Sequence, residues 1–355
     1  MSLSLAPKLS RRGALALFGA GALTLACRPA FAAAAVEKTV KLAPGGLYEL
    51  VVSHATGLVH VAAAGPRGAK EAKILGLDPR TLEVKATIEL GEEAAFGLAA
   101  NDRSGMLFAT GTRAGTLLVI DPKAGAVKAR IAEGEGAHLR QVIVDEANDR
   151  AFVTVFGARD KPSAIWVVDT AANRIASVIT EGLEGGIIGV AHDPAGDRLF
   201  ATALQSNEVV EVSLSRKAGI RRFASGGEGA INIAFQAGSQ RLFVTNQKSG
   251  QLTVLDAASG QVVKALETGA GALGVTLSGD GSLAYVANRG AGTVSVIDAK
   301  ALDLKANLAT GSQPNTVAVD RRSGLAYVTN KARSAPRGQP PVEDPNGDTV
   351  SLIRA

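Results

Sequence analysis

Tyr285-Val286-Ala287-Asn288, a short turn, and Thr293-Val294-Ser295-Val296-Ile297-Asp298 reappear upstream as Leu242-Phe243-Val244-Thr245-Asn246 and Leu252-Thr253-Val254-Leu255-Asp256. Each copy holds two runs of strand length with apolar and polar residues in alternation, joined by a hairpin turn. The last residue of the second run marks seven copies, Asp78, Asp121, Asp169, Ser213, Asp256, Asp298 and Arg354, the first six 42 to 48 residues apart. Self-similarity at that period is the mark of a repeat architecture.

Four strand-like runs fit each interval. Leu273 to Leu277, Leu283 to Asn288, Thr293 to Asp298 and Leu302 to Leu308 are one set, separated by Gly, Asp, Ser and Asn turns. Four antiparallel strands repeated seven times predict an all-β, seven-bladed β-propeller. Such a ring must hide its two terminal edges. The chain ends on a third-type run, Thr349 to Arg354, while Val36 to Leu42 is similar to fourth-type runs such as Gln261 to Leu266. The N-terminal strand is therefore expected to complete the last blade, in a single domain over residues 33–355.

Ahead of the repeats lie Ser10-Arg11-Arg12, an apolar stretch from Gly13 to Ala26, and Ala30-Phe31-Ala32. This reads as an export signal over residues 1–32 with a small-residue cleavage site, and the paired arginines suggest the twin-arginine route. The stretch is short for a bilayer span and is broken by Gly19 and Gly21. A soluble, monomeric periplasmic protein without membrane insertion is expected. The single cysteine, Cys27, lies in this segment, so cleavage leaves no thiol; acylation of Cys27 is the alternative. Removal also leaves 34 basic against 33 acidic residues, so net charge says little about partners.

The recurrent aspartate opens a turn in Asp298-Ala299-Lys300, Asp256-Ala257-Ala258 and Asp121-Pro122-Lys123, where a carboxylate bonds backbone N–H groups two residues on. A structural role is expected. Gly269-Ala270-Gly271-Ala272-Leu273-Gly274 spells a dinucleotide fingerprint, but a strand rather than a helix follows it. Asp344-Pro345-Asn346-Gly347-Asp348 has the opening spacing of a calcium loop without a closing glutamate and is equally a turn. The four histidines, His54, His60, His138 and His192, are scattered, and no Cys-x-x-Cys-His is present. No metal or cofactor is expected.

Tyr327-Val328-Thr329-Asn330 and Tyr285-Val286-Ala287-Asn288 resemble the signature of the YVTN-repeat propellers. Ala164-Ile165-Trp166-Val167-Val168-Asp169, Gly292 to Lys300 and Gln313-Pro314-Asn315 are similar to the YncE-like periplasmic group in particular. The resemblance covers essentially the whole mature chain. It implies a seven-bladed periplasmic propeller, single-stranded DNA binding as the usual activity, and no established catalysis. Related propellers include lactonases and quinoprotein or haem-carrying subunits, so architecture alone does not choose a function.

The top mouth of the channel, where inner strands begin and seven copies of one position converge, is the candidate ligand site. By register the ring holds Tyr48 and Glu49, Phe96, Arg140, Ile187, Asn232, Leu273 and Asn315. Of these Tyr48, Glu49, Phe96, Arg140, Asn232 and Asn315 also match the family pattern. Three long insertions, Gly65 to Lys73, Phe156 to Ser163 and Lys331 to Asp348, fall on the same face. Arg67, Lys70, Lys248, Arg289, Lys331, Arg333 and Arg337 form a basic sector for an anion or nucleic acid, and Glu92, Glu93, Glu133, Glu135, Glu181 and Glu184 form an acidic one. Only 14 aromatic residues are present, and Trp166 is expected to pack between blades, so extended base stacking is poorly supplied.

Three functions are open at this point. The first is a non-enzymatic propeller binding a polar or anionic ligand or single-stranded DNA over the top face around Arg140, Tyr48, Asn232 and Asn315. The second is a lactonase-like hydrolase using Glu49, His138 and Arg140 as acid, base and clamp. The third is a partner for an outer-membrane receptor or a quinoprotein system that uses the long loops.

Overall fold

The structure is a computed structural model, which describes residues 34–66, 69–134, 136–157, 161–334 and 342–355. The expected export signal lies outside these residues. Among them no helix is long and apolar enough to cross a membrane.

Seven four-stranded antiparallel sheets account for the strands. In blades one to six the chain runs from an inner strand outward in order. The inner strands are Leu47–Ser53, Gly97–Asn101, Leu139–Asp145, Ile187–Asp193, Ala230–Gln236, Ala272–Leu277 and Pro314–Val319. Blade seven closes the ring as expected. Its third strand, Thr349–Arg354, pairs with the chain's first strand, Ala35–Lys41, from Ala35 opposite Arg354 to Lys41 opposite Thr349.

Apolar side chains fill the spaces between blades. One cluster joins Phe108, Leu117 and Val119 of blade two to Val142, Val153 and Trp166 of blade three, and Trp166 is fully buried in it, the inter-blade role its sequence position suggests. The tyrosines of the repeated phrase, Tyr285 and Tyr327, are buried too, and Tyr327 donates its hydroxyl to the Pro79 carbonyl of blade one at 2.9 Å.

The phrase's final asparagine is buried and ties three segments together. Asn330 Nδ2 donates to Thr349 Oγ1 and Ser351 Oγ, each at 3.0 Å, while its Oδ1 accepts from Thr310 Oγ1 at 2.8 Å. Asn288 donates to Ser295 Oγ at 2.9 Å and to the Thr268 carbonyl at 3.2 Å. A buried amide is tolerated where its polar atoms are engaged, as both of Asn330's are.

A threonine one residue earlier latches blade to blade. Thr154 Oγ1 accepts from the Gln141 N–H in its own blade and donates to the Ile188 carbonyl of the next at 2.5 Å. Thr110, Thr202, Thr245 and Thr329 donate in the same way to the carbonyls of Arg140, Ile231, Leu273 and Tyr48. The recurrent aspartates open turns: Asp78 accepts from Arg80 and Thr81 N–H, and Asp298 from Lys300 and Ala301 N–H, at 2.7 to 3.0 Å. Those bonds hold both carboxyls below the usual aspartate range.

Candidate functional site

Six of the seven inner strands carry one extra residue near their upper end, breaking the pairing register between Leu47 and Leu50, Leu139 and Val142, Ile187 and Val190, Ala230 and Asn232, Ala272 and Gly274, and Pro314 and Val317. A β-bulge of this kind re-aims side chains and suspends strict alternation. Here it lets two consecutive residues of an inner strand line the channel. One ring is Tyr48, Phe96, Arg140, Ile188, Ile231, Leu273 and Asn315; the next holds Glu49, Gly97, Gln141, Asn232, Gly274 and Thr316. Glycine at Gly97 is a packing requirement, since a Cβ there would lie 2.5 Å from the Arg140 carbonyl oxygen.

These two rings bound a cavity of about 360 Å³, completed by Thr112, Arg113, Gln247 and Arg289 from the turns after the second strands. All six channel-mouth residues named from sequence line it: Tyr48, Glu49, Phe96, Arg140, Asn232 and Asn315. Leu273 does as well. Ile187 does not, because the bulge turns it into the core, where it is fully buried, and Ile188 faces the channel in its place. The ring expected at one position per blade is therefore two positions deep, with Asn232 in the second.

Arg289, placed by sequence in the basic sector of the top face, lines the cavity itself. Its guanidinium donates to Asn315 Oδ1 at 2.7 Å and to Gln313 Oε1 at 3.2 Å, which fixes it toward the axis. Arg140 stacks over Phe156 with 5.2 Å to the ring centroid. Burial lowers both arginines from their ordinary range, a sign that each charge is partly stripped of water. On the opposite flank Tyr48 and Phe96 meet edge to face at 4.5 Å, with the Lys331 ammonium 3.9 Å over Tyr48 and the Arg113 guanidinium 5.6 Å over Phe96. Lys331 also donates to the Tyr48 hydroxyl.

Glu49 is the one carboxylate among the lining residues. Its Oε2 accepts from the Leu98 N–H of blade two at 2.9 Å, and burial pushes its pKa up to about 7. Ile188, Ile231 and Leu273 form an apolar arc across blades four to six. The cavity thus has three guanidiniums, one carboxyl that titrates near neutrality, amide and hydroxyl groups, and an apolar wall.

The basic sector is only partly assembled. Lys70 is paired with Glu92 of the acidic arc, Lys73 with Glu89 at 2.9 Å, and Arg130 with Glu93. Lys248 is exposed, and Arg333 borders depressions beside the cavity rather than the cavity itself. Arg67, Arg337 and Glu135 lie outside the described residues. His138 is exposed beside Phe156 in a neighbouring depression and does not line the cavity, so the acid–base pair that a hydrolase would need is not brought together there.

The other histidines are accounted for by the fold. His54 bonds Asp320 at 2.8 Å, His60 is buried against Thr56, and His192 packs on Phe152. Asp344 and Asp348 are engaged by backbone N–H groups and Ser312, as in a turn. Among the described residues no cluster of His, Asp and Glu is arranged to hold a metal ion.

Seven sheets around one axis, closed by a strand from each end of the chain, define a seven-bladed β-propeller. Residues 195–333 match the family described as Cytochrome D1 heme domain. The chain is also 28% identical over 267 residues to the uncharacterized protein YncE of Escherichia coli O157:H7, covering 72% of this chain and 73% of that one. It is 28% identical over 245 residues to the YncE of strain K12, covering 66% and 68%. Fold, repeats and these similarities support a YncE-like propeller. A haem does not fit the cavity: among the described residues no His, Cys or Met side chain lines it to serve as axial ligand, and the Tyr48 hydroxyl is taken by Lys331.

Proposed function

We propose that this chain is an exported periplasmic binding protein whose channel mouth holds a small organic anion, without catalysing its turnover. The observation that carries the reading is the convergence of Arg113, Arg140 and Arg289 on one cavity in which Glu49 is the single carboxylate among the described residues. Guanidiniums give planar, bidentate recognition of carboxylates and phosphates. A cavity of about 360 Å³ is of small-molecule size, and its apolar arc offers a surface for a hydrocarbon body.

Single-stranded DNA suits the site less well. Base stacking needs open aromatic faces, whereas Lys331 covers Tyr48 and Arg113 covers Phe96. The arc of Glu181, Glu184 and Glu133 on the top face is exposed and would repel a phosphate backbone. The export reading rests on the sequence of residues 1–32.

Native mass spectrometry of the protein released from its own cells tests the proposal. A small-molecule adduct that is lost in the Arg140→Ala/Arg289→Ala double variant supports it. An oligonucleotide adduct, or a small adduct that survives the double substitution, overturns it.

A further inference from the structure

We infer, building on the anion-binding reading, that the cavity takes up one proton with each carboxylic acid anion it binds, and that Glu49 carries this proton. The starting point is a comparison between two blades. Gln141 occupies in blade three the place that Glu49 occupies in blade one. Each reaches across to the next blade and accepts a hydrogen bond from the backbone N–H two residues beyond that blade's first channel position, Ile188 or Phe96: Gln141 Oε1 from Val190 at 2.8 Å, Glu49 Oε2 from Leu98 at 2.9 Å. A neutral amide therefore meets the structural need in blade three. The ionisable carboxyl in blade one is surplus to the fold.

Its surroundings give the carboxyl a different task. Among the described residues no ion pair involves Glu49, although Arg113, Arg140 and Arg289 line the same cavity. The titratable and charged groups that face the site are Tyr48 from its own blade, Arg113 from blade two, Arg140 from blade three and Arg289 from blade six, with Lys331 of blade seven behind Tyr48. Blades four and five present Ile188, Ile231 and Asn232. An incoming carboxylate drawn by the arginines meets a like charge at an ionised Glu49, and a hydrogen-bond donor at a protonated one. With Oε2 held by Leu98, the proton goes to Oε1. It comes from solvent, remains on Glu49 and returns to solvent when the ligand leaves; no covalent bond to the ligand forms. A carboxyl already raised toward neutrality by burial needs little further shift to do this.

Isothermal titration of the purified chain with benzoate, whose own charge is constant over the range, tests the inference at about pH 6 and about pH 8. Two buffers of unlike ionisation enthalpy give the proton count. Binding about tenfold weaker at the higher pH, with uptake approaching one proton per benzoate there, is the expected result. Glu49→Gln keeps the acceptor for Leu98 and should flatten the profile and abolish the uptake. Equal affinity at both pH values without proton uptake overturns the inference and leaves the anion site standing. A pH dependence that persists in Glu49→Gln removes the role from Glu49. No benzoate binding at either pH sinks both readings together. The proton count on the unaltered protein decides the matter even if the variant misfolds.

Discussion

Asp348 Oδ1 accepts a hydrogen bond from the backbone N–H of Gly46 at 2.8 Å, joining two residues 302 positions apart in sequence. The same oxygen takes Ala332 N–H at 3.2 Å and Leu47 N–H at 3.4 Å. One carboxylate thereby fastens the start of blade one to the last turn of blade seven, beside the strand pairing that closes the ring. Asp348 itself has φ of 50°, a left-handed conformation that Asp and Asn tolerate better than other side chains.

Asp348→Ala should therefore lose the three acceptor contacts and strain the backbone, lowering stability by about 2–3 kcal/mol. Asp348→Asn keeps an acceptor and the conformation, and should fall by less than about 1 kcal/mol. Chemical denaturation of the three proteins separates these values; equal stability of Asp348→Ala and the parent would remove the residue from ring closure.

The threonine latches make a second prediction. Thr154→Val keeps the side-chain shape but strips a partner from the Gln141 N–H of its own blade and from the Ile188 carbonyl across the blade three to blade four seam. Leaving buried backbone groups unpaired costs about 1–3 kcal/mol. Blades one and six carry Ala62 and Ala287 at this position, so substitutions there should show no such loss of a latch. Comparing Thr154→Val with Thr154→Ser, which keeps the hydroxyl, in urea unfolding checks the loss.

Glu49 predicts a pH dependence of stability whose sign follows from its raised pKa. The folded carboxyl titrates at about 7 and the reference value is 4.5. Between those values the unfolded chain has released the proton and the folded chain has kept it. Stability from this group is complete below the lower value, declines as pH rises through the window, and is lost above about 7. Glu49→Gln, which does not titrate, should match the parent near pH 4 and exceed it by about 1–3 kcal/mol near pH 8. A variant that is less stable than the parent at pH 8 would show that the ionised carboxylate is paired in the folded protein.

How much of this was legible before the structure depended on the strand period. Alternation holds through the second and third strands, so Tyr285 to Asn288 and Thr293 to Asp298 announced their pairing, and the strand types at the two ends announced the closure. The inner strands depart from it. Leu47 and Leu50, Leu139 and Val142, and Ile187 and Val190 are apolar anchors three residues apart rather than two, with both intervening positions at the bulge. Assuming one channel position per blade placed Ile187 on the axis and missed Ile188, Ile231 and Gln141. The anchor spacing, repeated as Ala230 and Ile233 and as Ala272 and Val275, carries the missing signal. Arg113 and Gln247 lie just beyond the second strands, where turn geometry decides their direction and alternation says nothing.

Arg140 and Arg289 approach the cavity from blades three and six, and their supports differ. Arg289 is held by Asn315 and Gln313, whereas Arg140 rests on the Phe156 ring and makes no side-chain hydrogen bond among the described residues. A charge-assisted hydrogen bond to a ligand carboxylate contributes about 1.5–3 kcal/mol, so removing either guanidinium should weaken benzoate binding by about tenfold or more. The two positions should part in the next substitution. Asn315→Ala frees Arg289 without removing its charge, and should reduce affinity with little change in salt dependence, because the loss is of orientation. Phe156→Leu leaves Arg140 its charge and its freedom, and should have the smaller effect. Titrations of the four variants at two salt concentrations check the order; an Asn315→Ala variant that binds as well as the parent would separate the Arg289 network from the ligand site.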